Sequence, residues 1–150
     1  MFRKPSDLRI AQSLLVVTIA AAALALPACQ KREKPAPAST AAAPAVVGAE
    51  LGNAVQSNKR VTQPMTTFSP TDTIYVAIMT EGNKPAANLT ARWTYEDGQL
   101  VDESSQTIVM AGPATTEFHI MKPGGWPAGM YKVEILLDGT AARAVGFTVR

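Results

Sequence analysis

The chain has 150 residues, with 14 Lys+Arg against 12 Asp+Glu, a formal charge of +2 and a single cysteine. A lone cysteine forms no internal disulfide, so an exported domain built from this sequence has to be stable without one. Residues 1–28 hold three of the bases and one of the acids, which leaves eleven of each. That neutral remainder has no basic stripe, so no nucleic-acid partner is expected.

The N-terminus carries Arg3, Lys4 and Arg9 against Asp7, and Leu14 to Leu26 then runs thirteen residues with Thr18 as its only polar member. A basic head, a short apolar run and small residues near its end describe a secretory signal peptide over residues 1–28. A spanning helix needs about 20 apolar residues. Extending the run back to Ile10 brings in Gln12 and Ser13, so an uncut membrane anchor is the less favoured alternative. Ala23-Leu24-Ala25 offers an ordinary A-x-A cut, which would leave Cys29 as a free thiol.

Leu26-Pro27-Ala28-Cys29 resembles the lipobox of bacterial lipoprotein precursors. Leu26 supplies the apolar residue three before the cysteine and Ala28 the small residue before it; Pro27 stands where a small residue is usual. The resemblance implies that a diacylglyceryl group alkylates the Cys29 thiol and that the chain is cut just before it. The mature protein would then hang from the membrane on acyl chains, each buried CH₂ contributing about 0.8 kcal/mol. Gln30 follows the cysteine, where the enterobacterial rule for inner-membrane retention has Asp. By resemblance, that implies the periplasmic face of the outer membrane.

Residues 29–45 read as the lipidated cysteine and a tether. Gln30 to Pro44 contains Pro35, Pro37 and Pro44 among alanines, with no aromatic and no large aliphatic residue. Such a segment cannot bury enough surface to offset its ordering entropy. An extended spacer of at most about 45 Å follows, at ~3.1 Å per residue. Lys31, Arg32 and Lys34 either rest on anionic headgroups or are simply solvated.

Residues 46–150 are one ordinary domain's length, and apolar residues there alternate with period two, the strand signal. Val46 to Asn53 reads as a first strand and Asn53 to Gln63 as a loop. Ile74, Val76 and Ile78 share a face, while Tyr75, Ala77 and Met79 make the other face apolar too, so that strand is expected to lie centrally or to have its second face covered. Leu89, Ala91, Trp93 and Tyr95 alternate with Thr90, Arg92, Thr94 and Glu96. Thr116, Phe118 and Ile120 do the same, as do Tyr131, Val133, Ile135 and Leu137. Asp97-Gly98 is expected to join Leu89–Glu96 to Gln99–Glu103 as a two-residue hairpin, and Asp138-Gly139 to join Tyr131–Leu137 to Ala141–Val149. Glu81 to Pro85 and Lys122 to Gly125 read as longer loops. Seven or eight short strands with no amphipathic helix make an all-β, antiparallel sandwich.

Two details resemble the immunoglobulin-like architecture in particular. Trp93 falls on the inward face of the third strand. Gly129-Met130-Tyr131-Lys132-Val133 is similar to the lead-in of strand F with its tyrosine corner. The likeness implies that Val133 stands where relatives carry their second disulfide cysteine, faced by Val76 or Ile78. Asp72-Thr73-Ile74-Tyr75 and Gly125 to Tyr131 also resemble small uncharacterised proteobacterial exported proteins with an Ig-like domain. That likeness implies a fold and no activity.

The catalytic inventory is thin. Hydrolysis by Ser normally needs a base such as His, and the only histidine, His119, has no serine motif around it. Asp97, Asp102 and Glu103 cluster as a solvated hairpin. Gly124-Gly125 precedes Trp126-Pro127, not a helix, so it is no phosphate cradle. Hence no enzyme activity and no cofactor are expected. The leading function is a membrane-tethered periplasmic binding or accessory module with an envelope protein as partner. The alternative is a copper-handling protein: His119 and Met121 lie two apart on one strand face, a set that suits Cu(I), with Met65, Met79, Met110 or Met130 as a third ligand. Trp126, in the loop before strand F, is the candidate partner-binding residue, or else it folds back and caps the open end of the sandwich.

Overall fold

A computed structural model describes residues 42–150. The signal segment, Leu26 to Cys29 and the tether through residue 41 lie outside the described residues. The period-two segments form eight strands: β1 (Ala45–Gly52), β2 (Thr67–Phe68), β3 (Ile74–Glu81), β4 (Asn83–Tyr95), β5 (Gln99–Ala111), β6 (Ala114–Ile120), β7 (Gly129–Leu137) and β8 (Thr140–Val149). One sheet has the order β1-β3-β6 and the other β2-β8-β7-β4-β5. Short β2 runs parallel to β8, while the other pairings are antiparallel. The result is the expected all-β, immunoglobulin-like sandwich.

The core forms where the inward faces of the two sheets meet. Ile74, Val76 and Ile78 are fully buried, and Ala77 on the opposite face of β3 is buried as well. β3 is the middle strand of its sheet, flanked by β1 and β6. In β4, Leu89, Ala91 and Trp93 have no exposed surface, and Trp93 lies directly opposite Val133 of β7. Val133 shares one apolar cluster with Val76 and Ile78. Aliphatic packing thus fills the place where disulfide-bearing sandwiches cross-link their sheets. Phe147 of β8 is an aromatic hub, stacked on Tyr131 at 5.3 Å and edge-on to Phe68 at 5.5 Å and to Trp93 at 6.0 Å. Pairs of this kind add about 0.5–1.5 kcal/mol each beyond area burial.

The turns follow the sequence in one case and depart from it in others. Leu137 pairs with Thr140, so Asp138-Gly139 is a two-residue hairpin, with φ of 53° and 79° as a type I′ turn demands. Tyr95, however, pairs with Gln99, so Glu96-Asp97-Gly98 is a three-residue loop. Gly98 closes it with φ 94° and donates its N–H to the Tyr95 carbonyl at 2.8 Å. The expected loop from Glu81 to Pro85 shrinks to one residue, because Asn83 to Pro85 already belong to β4. Gly82 makes that corner at φ 100°, and a Cβ there would stand 2.4 Å from the Ala43 carbonyl oxygen. β5 extends to Ala111, well past Glu103, because Ser104 to Thr107 pair with β4 as fully as their apolar neighbours do.

The described chain enters at this corner. Asn83 donates its N–H to the Ala42 carbonyl at 3.1 Å, and Ala43 lies against Gly82. Gly82, Gly112 and the Asp138-Gly139 turn therefore share one pole of the sandwich. The 69–73 segment, Glu96 to Gly98 and the 121–128 loop sit at the other.

Candidate functional site

The pole opposite the chain entrance is built around the loop from Met121 to Ala128. Gly124 and Gly125 take φ of 88° and 90°, a left-handed pair that turns the loop back onto the segment before β3. The Trp126 N–H donates to the Pro70 carbonyl at 2.7 Å, and its indole Nε1–H donates to the Asp72 carbonyl at 3.0 Å. Asp72 in turn accepts the Ser69 N–H at 2.8 Å. With only 5% of its surface exposed and its ring edge-on to Tyr131 at 5.9 Å, Trp126 has the geometry of a cap. Of its two expected roles, partner-binding residue or cap, the buried ring and the engaged N–H are features of the cap.

Two tyrosines brace the same pole. Tyr131 Oη donates to the Pro127 carbonyl at 2.8 Å, four residues upstream, which is the hydrogen bond that defines a tyrosine corner. Tyr95 Oη donates to the Ala128 carbonyl at 3.1 Å. Burial raises the pKa of both phenols, with Glu96 adding to the effect, so both stay neutral donors. Gly129 passes beneath Tyr95 so closely that a Cβ would meet its ring at 2.6 Å.

Beside Trp126 opens a cleft of about 430 Å³, lined by Val101 and Asp102 from β5, by His119 and Met121, and by Lys122 and Trp126. His119 Nδ1 lies 2.6 Å from Glu117 Oε1, and its ring leans on Tyr75 at 5.2 Å. The cleft therefore does bring His119 and Met121 together. It does not supply the third soft ligand of the copper reading: Met65, Met79, Met110 and Met130 all lie off its lining. Among the described residues no group of three or more His, Cys, Asp or Glu is arranged to hold a metal ion. His119 has Glu117 as its hydrogen-bond partner, and among the described residues no Ser or Thr hydroxyl bonds to it. Cys29, the expected lipidation site, lies outside the described residues.

What the sequence reading missed at this pole is its exposed apolar trio. Leu100, Met121 and Met130 are 59%, 65% and 65% exposed. The signal for Met130 was present, since period two places it on the solvent face with Lys132. For Leu100 it was hidden, because the extra residue Val101 interrupts the register between Trp93 and Thr94 and reverses the local alternation.

No family model matches the chain, and no curated protein matches it. Among solved structures, it is similar to an immunoglobulin-like protein from Pseudomonas aeruginosa, with 16% identity and a TM-score of 0.52 over 74% of this chain and 99% of that one. At that identity the likeness speaks to fold alone. An alkylpurine DNA glycosylase from Pseudomonas fluorescens aligns with 14% identity and a TM-score of 0.41 over 57% of this chain and 28% of its own. A β-glucosidase from Listeria innocua aligns with 9% identity and a TM-score of 0.41 over 68% of this chain and 16% of its own. Neither of these last two carries an argument about activity.

Proposed function

We propose that this chain is a lipid-tethered, non-enzymatic binding module of the bacterial cell envelope. Cys29 holds it at the periplasmic face of the outer membrane, and the folded domain engages an envelope protein. The observation that carries this reading is the polarity of the sandwich. The chain enters at the pole of Gly82, where Ala42 bonds to Asn83, and the braced loops lie at the opposite pole. A spacer of up to about 45 Å attached at the first pole leaves the second free to meet a partner. Loops at the end of a sandwich are where such scaffolds carry recognition. The large hydrophobic side chains exposed there are Leu100, Met121 and Met130, beside the buried Trp126 and the two tyrosines. Adaptable thioethers on a rigid base suit protein contacts.

Metabolic labelling with radioactive palmitate tests the tether. The parent chain should take up label and fractionate with the outer membrane, and Cys29→Ser should take up none. Equal labelling of both would remove the anchor from the account.

A further inference from the structure

We propose that β5 pairs antiparallel with β5 of a second copy of this chain, about a two-fold axis at Ser105. β5 ends its sheet, and its backbone ladder runs to β4 alone, with the Gln106 side chain as its hydrogen bond to β6. An edge strand turns every second N–H and C=O outward, and proteins usually blunt such edges with Lys, Pro or a covering segment. β5 is thirteen residues long, QLVDESSQTIVMA, and contains neither Lys nor Pro. The other sheet ends differ. β2 has two residues, β1 gives its Leu51 carbonyl to the Met65 N–H, and the Glu117 carbonyl of β6 accepts from Gln106 Nε2.

The register picks the axis. The ladder between β4 and β5 is unbroken from Asp102, opposite Trp93, to Ile108, opposite Ala87, and it shifts beyond each end. Local twist changes at such irregularities, so the run between them is where a further strand fits flush. Its midpoint is Ser105. A one-residue slip would turn core-facing side chains outward, and a two-residue slip would push the added strand into an irregularity.

The run meets its own reverse without opposing like charges. An axis at Ser105 sets Asp102 against the other copy's Ile108, Glu103 against its Thr107 and Ser104 against its Gln106. No carboxylate faces a carboxylate, an opposition that destabilises strand pairs. The exposed apolar residues sit just beyond the two ends of the run, Val109 at 71% and Leu100 at 59%. The same axis carries Val109 of each copy toward the Leu100–Val101 end of the other. The meeting of these exposed apolar ends, with no like-charge opposition between them, is what points to a second copy.

Disulfide trapping reads the register directly. In a full-length chain carrying Cys29→Ser, single cysteines are placed by Glu103→Cys, Ser105→Cys and Thr107→Cys. Opposed residues have Cα atoms about 4.5–5.5 Å apart, within disulfide reach. Under mild oxidation Ser105→Cys should link to itself at least ~10-fold faster than either of the other variants alone, whose self-pairs lie four residues out of register. A mixture of the Glu103→Cys and Thr107→Cys proteins should link at a rate close to that of Ser105→Cys. This second arm does not depend on the 2.8 Å bond between the Ser105 and Thr90 hydroxyls. No linked dimer in either arm, or equal rates at all three single positions, would overturn the pairing.

Discussion

Trp93 lies at the centre of the sandwich with no exposed surface, and its Nε1–H has no hydrogen-bond partner among the described residues. Its place in the fold therefore comes from apolar packing alone. Trp93→Ala should cost about 3–5 kcal/mol, as large core truncations do. Trp93→Phe should cost less, because it removes an unpaired buried donor along with the volume. Denaturant midpoints at unchanged m-value compare the two, and an alanine variant that unfolds where the parent does would show the strand facing to be wrong. Trp126 differs in kind, since it binds two backbone carbonyls' worth of loop through Pro70 and Asp72. Trp126→Ala should lose roughly 3 kcal/mol and loosen that pole, a loss that thermal melting detects. A normal melt would return the indole to the role of anchor.

Asp138 is the residue whose behaviour depends on pH. It accepts from Lys84 Nζ at 2.7 Å and from the Asn88 N–H at 3.0 Å, and these bonds, the first above all, hold its carboxyl below the usual range. A depressed folded pKa means that the stabilisation is present above the unfolded carboxylate pKa and is lost as pH falls through the folded one. Exposed pairs contribute modestly. The parent should therefore hold a small advantage over Asp138→Asn near neutrality that shrinks as pH falls through and below the usual carboxylate range. A constant difference in melting temperature across that range would contradict the assignment.

Among the elements, those with strict alternation were legible and those shaped by tertiary context were not. Leu89 to Tyr95 and Thr116 to Ile120 gave their burial away because one face meets the core and the other meets water. The second half of β5 hid behind Ser104-Ser105-Gln106-Thr107. A strand at a sheet edge needs few apolar residues, so its pattern fades although its backbone ladder continues. β2 is two residues long and pairs parallel with β8, Thr67 opposite Thr148 and Phe68 opposite Val149, 81 residues on, which no local pattern can announce. The three-residue loop at Glu96 to Gly98 was misjudged because its Gly serves a one-residue left-handed position and not a type I′ pair. Gly129 was likewise unreadable, since its reason is the Tyr95 ring above it. Gly129→Ala should cost about 1–3 kcal/mol by overpacking that contact. The double change with Tyr95→Ala should recover part of the loss, and strict additivity in that cycle would show that the two do not meet.

At the scale of the whole molecule, the proposed function rests on the two poles of one sandwich. The entrance pole is tied down by Gly82, Asp138 and Lys84, and the far pole is braced by Trp126, Tyr95 and Tyr131 beneath an exposed Leu100, Met121 and Met130. Sequence signals carried the fold because packing follows pattern. They carried less of the candidate site, because Trp126 and Leu100 take their exposure from a loop fold and an irregular ladder. The central claim is that this domain works on a lipid leash, and detergent phase partitioning with N-terminal mapping tests it most directly. The parent should enter the detergent phase with a modified Cys29 as its first residue, and Cys29→Ser should stay in the aqueous phase. Parent and variant together in the aqueous phase, with a mature chain beginning at Leu26, would contradict the account.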